Sequence, residues 1–178
     1  MITPPGQRAA EEQAWPIRHA RPEDRDRVLE LFQISQSDGM ADANDAADDL
    51  RDMAAAYLDA ESGSRFWVVE DDAGRLVGMV GVRRHSESQA AVRRLHVHPE
   101  RRMQGIGSLL VREALRFCHD QGYVKIVLET KEDQTAAIAL FTRFGFRLNR
   151  AKDIAGVKKL EFYIDLYYKP DVTGPNMS

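Results

Sequence analysis

The stretch RLHVHPERRMQGIGSLLVREAL, residues 94–115, passes from a β-rich run through two arginines and two glycines into an amphipathic helix. Along that helix Ile106, Leu109, Leu110, Ala114, Phe117 and Cys118 fall at helical spacing, while Arg112, Arg116 and His119 face away. The first N–H groups of a helix have no partner within it and point along its axis, where the dipole favours negative charge. Gly105 and Gly107 lack a Cβ, so a bulky anion can approach the main chain. Arg101 and Arg102 add bidentate donors near the same point. Each dipole contact is worth only about 0.3–1 kcal/mol, so tight binding needs several amides and an arginine together. A phosphate, or better a diphosphate, fits; a glycine turn with solvated arginines is the alternative that the turn alone leaves open.

Two familiar phosphate loops fit poorly. A P-loop requires Gly-Lys-Ser/Thr, and Gly107-Ser108 has no lysine. A dinucleotide fingerprint would use Gly105, Gly107 and the acidic Glu129, but its third glycine position is Leu110. The residues between His98 and Gly105 also make too long a turn, and the preceding hairpin is not doubly wound.

Working outward, a short strand is expected near residues 15–19, then a helix carrying Val28, Leu29, Leu31, Phe32 and Ile34 behind Pro22. A second helix is expected within 45–60, with Leu50, Met53, Ala54, Tyr57 and Leu58 as its apolar stripe. Two β-rich runs flank Asp71-Asp72-Ala73-Gly74, a hairpin signal. After the central helix, with Gly122 as its C-cap, come a short apolar strand (123–130), a helix stopped at Gly145, and two closing strands. This order gives one mixed α/β domain over residues 15–168, with a loose arm at 1–14 and a loose tail at 169–178.

The 178 residues suffice for one domain with a real core. A hydrophobic content of 43% and a charged content of 30% are those of a soluble globular chain. A net charge of −3 gives no reason to expect nucleic-acid binding. No apolar run approaches the ~20 residues of a membrane span, and the first residues lack the apolar core of a signal peptide. The single cysteine, Cys118, excludes an internal disulfide or a Cys-rich zinc site and suits a reducing cytoplasm. It falls on the apolar stripe, which makes it a buried inert thiol rather than an acyl carrier.

Residues 94–115 resemble motif A of the GCN5-related N-acetyltransferase (GNAT) superfamily, Arg/Gln-x-x-Gly-x-Gly/Ala after a strand ending V-x-P. Arg102, Gly105 and Gly107 occupy it. Downstream, KIVLETKEDQTAAIALFTRFGF (125–146) is similar to the family's next segment, with Ala137, Leu140, Gly145 and Phe146 matching. The resemblance implies a mixed α/β fold of α+β type: a central, mostly antiparallel, splayed sheet of six to seven strands flanked by about four helices. It also implies acetyl-CoA as acyl donor and no metal. By the same resemblance, main-chain groups from Gln104 through Ile106 to Ser108, with Arg101, Arg102 and Met103 beside them, would hold the diphosphate. Leu95, His96 and Val97 would pair with the pantetheine arm, and the Val97 N–H would polarise the thioester carbonyl. Gln134 stands where many members place a coenzyme-contacting Asn, and Phe141 where they place a proton-donating tyrosine. A phenyl ring cannot donate.

The general base is unmarked. His96 is one candidate, since an imidazole near pKa 6.5 suits proton acceptance; a packed aromatic role is the alternative. Glu129, closing the opposite strand of the gap, is the other. Tyr163, Tyr167 and Tyr168 are candidate substitutes for the missing phenol. Between Asp38 and Glu61 acidic residues far outnumber the lone Arg51, which would make a negative wall for a cationic amine. Arg83, Arg84, Arg93, Arg94, Arg101 and Arg102 would suit the anionic coenzyme. The leading expectation is an acetyl-CoA-dependent N-acetyltransferase for a small or amino-acid-like primary amine. Acetylation of a protein lysine or N-terminus, or an acyl-CoA-binding regulatory module, are the alternatives. The family it resembles often dimerises, and a homodimer is an open expectation here.

Overall fold

The computed structural model describes residues 15–166. The expected arm and tail, together with Tyr167 and Tyr168, lie outside the described residues. The elements are β1 (Ile17–His19), a 3-10 turn (Pro22–Asp24), α1 (Arg25–Ser37), α2 (Asp48–Arg51) and a π-helical turn (Ala54–Leu58). Then come β2 (Arg65–Glu70), β3 (Leu76–Arg84), β4 (Gln89–Val97), a second 3-10 turn (Pro99–Arg101) and α3 (Ile106–Asp120). The chain closes with β5 (Lys125–Lys131), α4 (Thr135–Arg143), β6 (Arg147–Ile154) and β7 (Val157–Asp165). The strands form one sheet in the order β1-β2-β3-β4-β5-β7-β6. Only β4 and β5 run parallel. This is the mixed, mostly antiparallel sheet with flanking helices that the sequence led us to expect.

Strand alternation sorts the core into two layers. In β2, Trp67 and Val69 face the layer built with α3 and α4, alongside Leu110, Ala114, Cys118 and Phe141. Phe66 and Val68 face the layer built with α1, alongside Leu31, Phe32, Leu50 and Tyr57. Both faces being covered, β2 and β3 read as continuous apolar runs. At the end of α3, Gly122 (φ +79) accepts the left-handed turn that lets Tyr123 N–H reach Cys118 O at 3.0 Å.

The helix expected within 45–60 is not continuous. Asp42 accepts the Asn44 N–H at 2.9 Å and Asp45 the Ala47 N–H at 2.8 Å, two side-chain turns that hold the chain out of helix. Ala47 adopts φ +55, and regular helix covers only Asp48–Arg51 before the π-helical turn. Leu50, Met53 and Tyr57 are buried as expected, but Ala54 is exposed. The wider turn lets the Tyr57 hydroxyl donate to Asp49.

Two features open the middle of the sheet. β4 and β5 pair only at Gln89/Lys125, Ala90/Ile126 and Ala91/Val127, and beyond these rungs no further pairing joins them. On its other side β4 stays laced to β3 as far as Gly78/Val97, but with an irregularity: Arg93 to His96 spans three steps against two from Gly81 to Met79. This is a bulge, and Arg94 within it takes φ +59. A bulge bends its strand, here β4, at the point where it parts from β5.

Candidate functional site

The parting strands open into a cleft of about 890 Å³. Its walls come from the outer half of β4, the turn before α3, the end of β5, α4, β7 and the loop after α1. Leu95, His96, Val97, Arg101, Arg102 and Met103 line it, as do Gly105, Ile106, Gly107 and Ser108. Glu129, Gln134 and Phe141 lie on the opposite wall. Gln104 is not among the lining residues; its carbonyl accepts the Trp15 indole N–H at 3.2 Å.

At the turn, the first helical bond runs from Leu109 N–H to Gly105 O at 3.1 Å. The amides of Ile106, Gly107 and Ser108 precede it and have no intrahelical acceptor. Gly105 is required by its φ of +84, at a point with open space around it. Gly107 lines the cleft and has a second, packing reason to be bare. A Cβ there would lie 3.2 Å from Leu140 Cδ2, so its bareness also leaves room for the Leu140 side chain of α4. A Gly107→Glu change would therefore disturb packing as well as charge. Arg101 donates to Asp71 at 3.4 Å, while its Nε–H is buried with no partner. Arg102 pairs with the Asp38 carboxylate, and its Nε–H donates to Val97 O at 3.3 Å.

In the gap itself, His98 N–H donates to Val77 O at 2.8 Å, toward β3. Strand alternation therefore turns the Val97 N–H the other way, toward the space between β4 and β5. His96 packs edge-on against Phe32, ring centroids 5.4 Å apart. Burial first, and then the Arg94 charge, push its pKa down to about 4. The residue is half-buried, with one side on the cleft. At neutral pH it is an uncharged and weak base, not the imidazole near 6.5 that the sequence suggested. Glu129 is exposed and lies 3.7 Å from both Lys152 Nζ and Lys159 Nζ. Its cross-strand neighbour Glu161 accepts from Asn149 at 2.7 Å, Lys152 at 3.1 Å and Arg150 at 3.2 Å, which hold its pKa down at about 2.

Phe141 is buried, edge-on to Phe146 at 5.8 Å. Tyr163 does not line the cleft; its ring lies between Lys125 Nζ at 5.1 Å and the Arg147 guanidinium at 5.0 Å. Gln134 lines the cleft, but its amide N–H groups go to Gly39 O at 2.9 Å and Asp133 at 3.2 Å, leaving only its oxygen for a guest. Cys118 is buried in the core, which raises its thiol pKa to about 12.

The expected negative wall is largely neutralised. Arg94, thrown by the bulge onto the α1 face, binds Asp45 at 2.6 Å and also binds Asp49, with its guanidinium 4.9 Å from the Phe32 ring. Burial works against both carboxylates, yet the Arg94 hydrogen bonds keep them below the ordinary range. Asp38 pairs with Arg102, and Asp42 with Lys159 at 3.5 Å. Among the lining residues nine are Lys or Arg, against four Asp or Glu, so cations hold the surplus. Of the arginine cluster, Arg93, Arg94, Arg101 and Arg102 face the cleft. Arg83 stacks at 6.0 Å over Tyr57, and Arg84 caps Ser86 O at 3.2 Å. The sequence missed the Arg94–Asp45–Asp49–Tyr57 network, because its members are up to 49 positions apart and only the bulge brings them together. Among the described residues no helix is long and apolar enough to cross a membrane, and no three His, Cys, Asp or Glu side chains are grouped as a metal would need.

Residues 27–146 match the Acetyltransferase (GNAT) family profile. Over 104 residues the chain is 39% identical to human N-acetyltransferase 8, covering 56% of this chain and 45% of that protein. The chain spans about half the length of the curated relatives it matches. A GNAT-family acetyltransferase from Staphylococcus aureus Mu50 superimposes with a TM-score of 0.76 at 23% identity, over 86% of this chain and 99% of that one. A phosphinothricin acetyltransferase from Sinorhizobium meliloti, solved in complex with AcCoA, gives 0.72 at 18% identity over 85% and 88%. At these identities the two structures speak for the fold.

Proposed function

The chain belongs to the acetyltransferase (GNAT) family, and from that premise we propose that it transfers an acetyl group from acetyl-CoA to a primary amine. The transfer is by direct attack, with both substrates in the cleft together. The observation that carries this reading is the interrupted β4–β5 ladder, which leaves a gap between the unpaired α3 amides and a chamber of charged side chains. The unsatisfied Arg101 Nε–H at the turn fits an anionic guest. Bound acetyl-CoA would supply an acyl group already activated as a thioester.

The chain's own residues have three tasks. Amides of Ile106, Gly107 and Ser108, with Arg101 and Arg102, hold the diphosphate. The free edge of β4 at Leu95 and Val97 pairs with the amide-bearing pantetheine arm, and the Val97 N–H serves as oxyanion donor. The third task is the amine's proton. An ammonium of pKa near 9 would give it to an imidazole of pKa about 4 only at a cost of about 7 kcal/mol, at 1.36 kcal/mol per unit. His96 is then a neutral wall of the acceptor chamber, and the proton leaves by water or by way of the exposed Glu129.

The acceptor is a small, amino-acid-like amine that carries an anionic group, because cations outnumber carboxylates along the lining. The lone reduced thiol suits the cytoplasm. Phe141 favours a second reading, an acyl-CoA-binding module with little turnover, since the cleft wall there lacks a proton donor. A thiol-release assay with acetyl-CoA against amines, amino acids, polyamines and peptides separates them. Release should be fastest with amines bearing a carboxylate. Tight acetyl-CoA binding with no release across the panel would favour the module, and absence of binding would remove both.

A further inference from the structure

The loop after α1 crosses the mouth of the cleft and is fastened on several sides. Asp38 pairs with Arg102 of the turn. Gly39 O accepts from Gln134 Nε2 at 2.9 Å and from Lys131 Nζ at 3.2 Å, on the β5–α4 side. Asp42 lies 3.5 Å from Lys159 of β7, and Asp45 is held by Arg94 of the bulge. All five of these partners line the cleft, as do Met40, Ala41, Asp42 and Asp45 of the loop itself. Residues 38–45 thus form a strap over the same space in which both substrates would lie.

The fastenings differ in kind. Arg94 and Asp49 are each only 6% exposed, so the Arg94 guanidinium that holds Asp45 is itself anchored in an enclosed pair. Arg102 and Asp38 keep 31% and 30% of their side-chain surface, at the end of the cleft where the α3 amides are unpaired. The Nε–H of Arg102 is committed to Val97 O, so the outer edge of the guanidinium is what Asp38 and an incoming diphosphate must compete for. The diphosphate also repels the Asp38 carboxylate. Beneath the strap, Met40 and Ala41 N–H both donate to Ser35 O at 2.9 Å, and the Ser35 hydroxyl is fully buried without a partner. That unpaired hydroxyl is a cost of the covered arrangement, which lifting the strap would relieve by admitting water.

We infer that Arg102 exchanges Asp38 for the diphosphate of the coenzyme, so that filling the nucleotide end of the cleft frees the leading end of the strap while its other fastenings hold. The inference rests on the reading that the turn holds the diphosphate of coenzyme A.

Calorimetry with coenzyme A compares the wild type with Asp38→Asn, and hydrogen exchange follows the wild type alone. Asp38→Asn should bind coenzyme A about three- to tenfold more tightly, having lost a half-exposed competing carboxylate. In the wild type, saturating coenzyme A should speed exchange of the Met40 and Ala41 amides, whereas pantetheine, which has no diphosphate, should leave them unchanged. Equal affinities of the two proteins, or slower or unaltered exchange at 40 and 41 with coenzyme A, would overturn the exchange of partners. The hydrogen-exchange arm decides if the variant fails to fold. No binding of coenzyme A to the wild type is a different result, and overturns the reading of the cleft itself.

Discussion

Replacing His96 by glutamine should make the protein less sensitive to mild acid. The folded ring titrates at about 4 because burial and the Arg94 charge disfavour the imidazolium, whereas an unfolded histidine titrates near 6.5. Between those values the unfolded chain holds a proton that the folded chain refuses, so stability rises with pH there and is lost as pH falls from about 6.5 toward 4. For this one site the loss between pH 7 and pH 5 is about 1.8 kcal/mol, taking 1.36 kcal/mol per unit and the curvature near 6.5 into account. Urea unfolding of both proteins at both pH values gives the double difference, from which any pH-independent cost of the substitution cancels. The wild type should lose about 1.8 kcal/mol more than His96→Gln. Equal losses would refute the claim that the fold holds this ring neutral, and with it the argument that His96 is too weak a base for the amine.

Arg94→Met should cost about 3–5 kcal/mol in urea unfolding, because Asp49 would be left as an enclosed carboxylate without its cation, with Asp45 unpaired beside it; Arg94→Met with Asp45→Asn and Asp49→Asn should recover part of it, and a cost below about 1 kcal/mol for the single change would contradict the burial of the Arg94–Asp49 pair. Phe141→Tyr puts a hydroxyl into the cleft wall and should raise kcat for thiol release about tenfold, short of the 10²–10⁴ of a well-positioned acid; an unchanged kcat would assign the leaving group's proton to another source.

The fold was legible because local signals and long-range packing agree. Leu110, Ala114 and Cys118 are buried at the spacing that marked the helix, and Gly105, Gly122 and Gly145 take the positive φ that ends or begins elements. Helix spacing alone failed over 45–60, where apolar periodicity competes with two aspartate turns and with an arginine 45 residues or more away. The turn before α3 could be read because its unpaired donors are main-chain groups fixed by helix geometry. The acceptor end could not. Counting charges along 38–61 gave a negative wall, while the folded chain sets Arg94, Arg102 and Lys159 against it. Nor does composition reveal that the histidine at the end of a bulge will pack edge-on against Phe32.

Because three residue pairs are all that lace β4 to β5, the seven strands behave as two plates, one of four strands and one of three. What glues the plates is the apolar layer on one side, where Trp67, Val77 and Val82 of the first meet Ile126, Leu128 and Phe162 of the second through α3. A joint glued from beneath can stay wide at its rim without breaking the glue. The protein thereby keeps a deep bay in the middle of a sheet, with bare strand edges along it whose main-chain groups the sheet itself leaves unpaired.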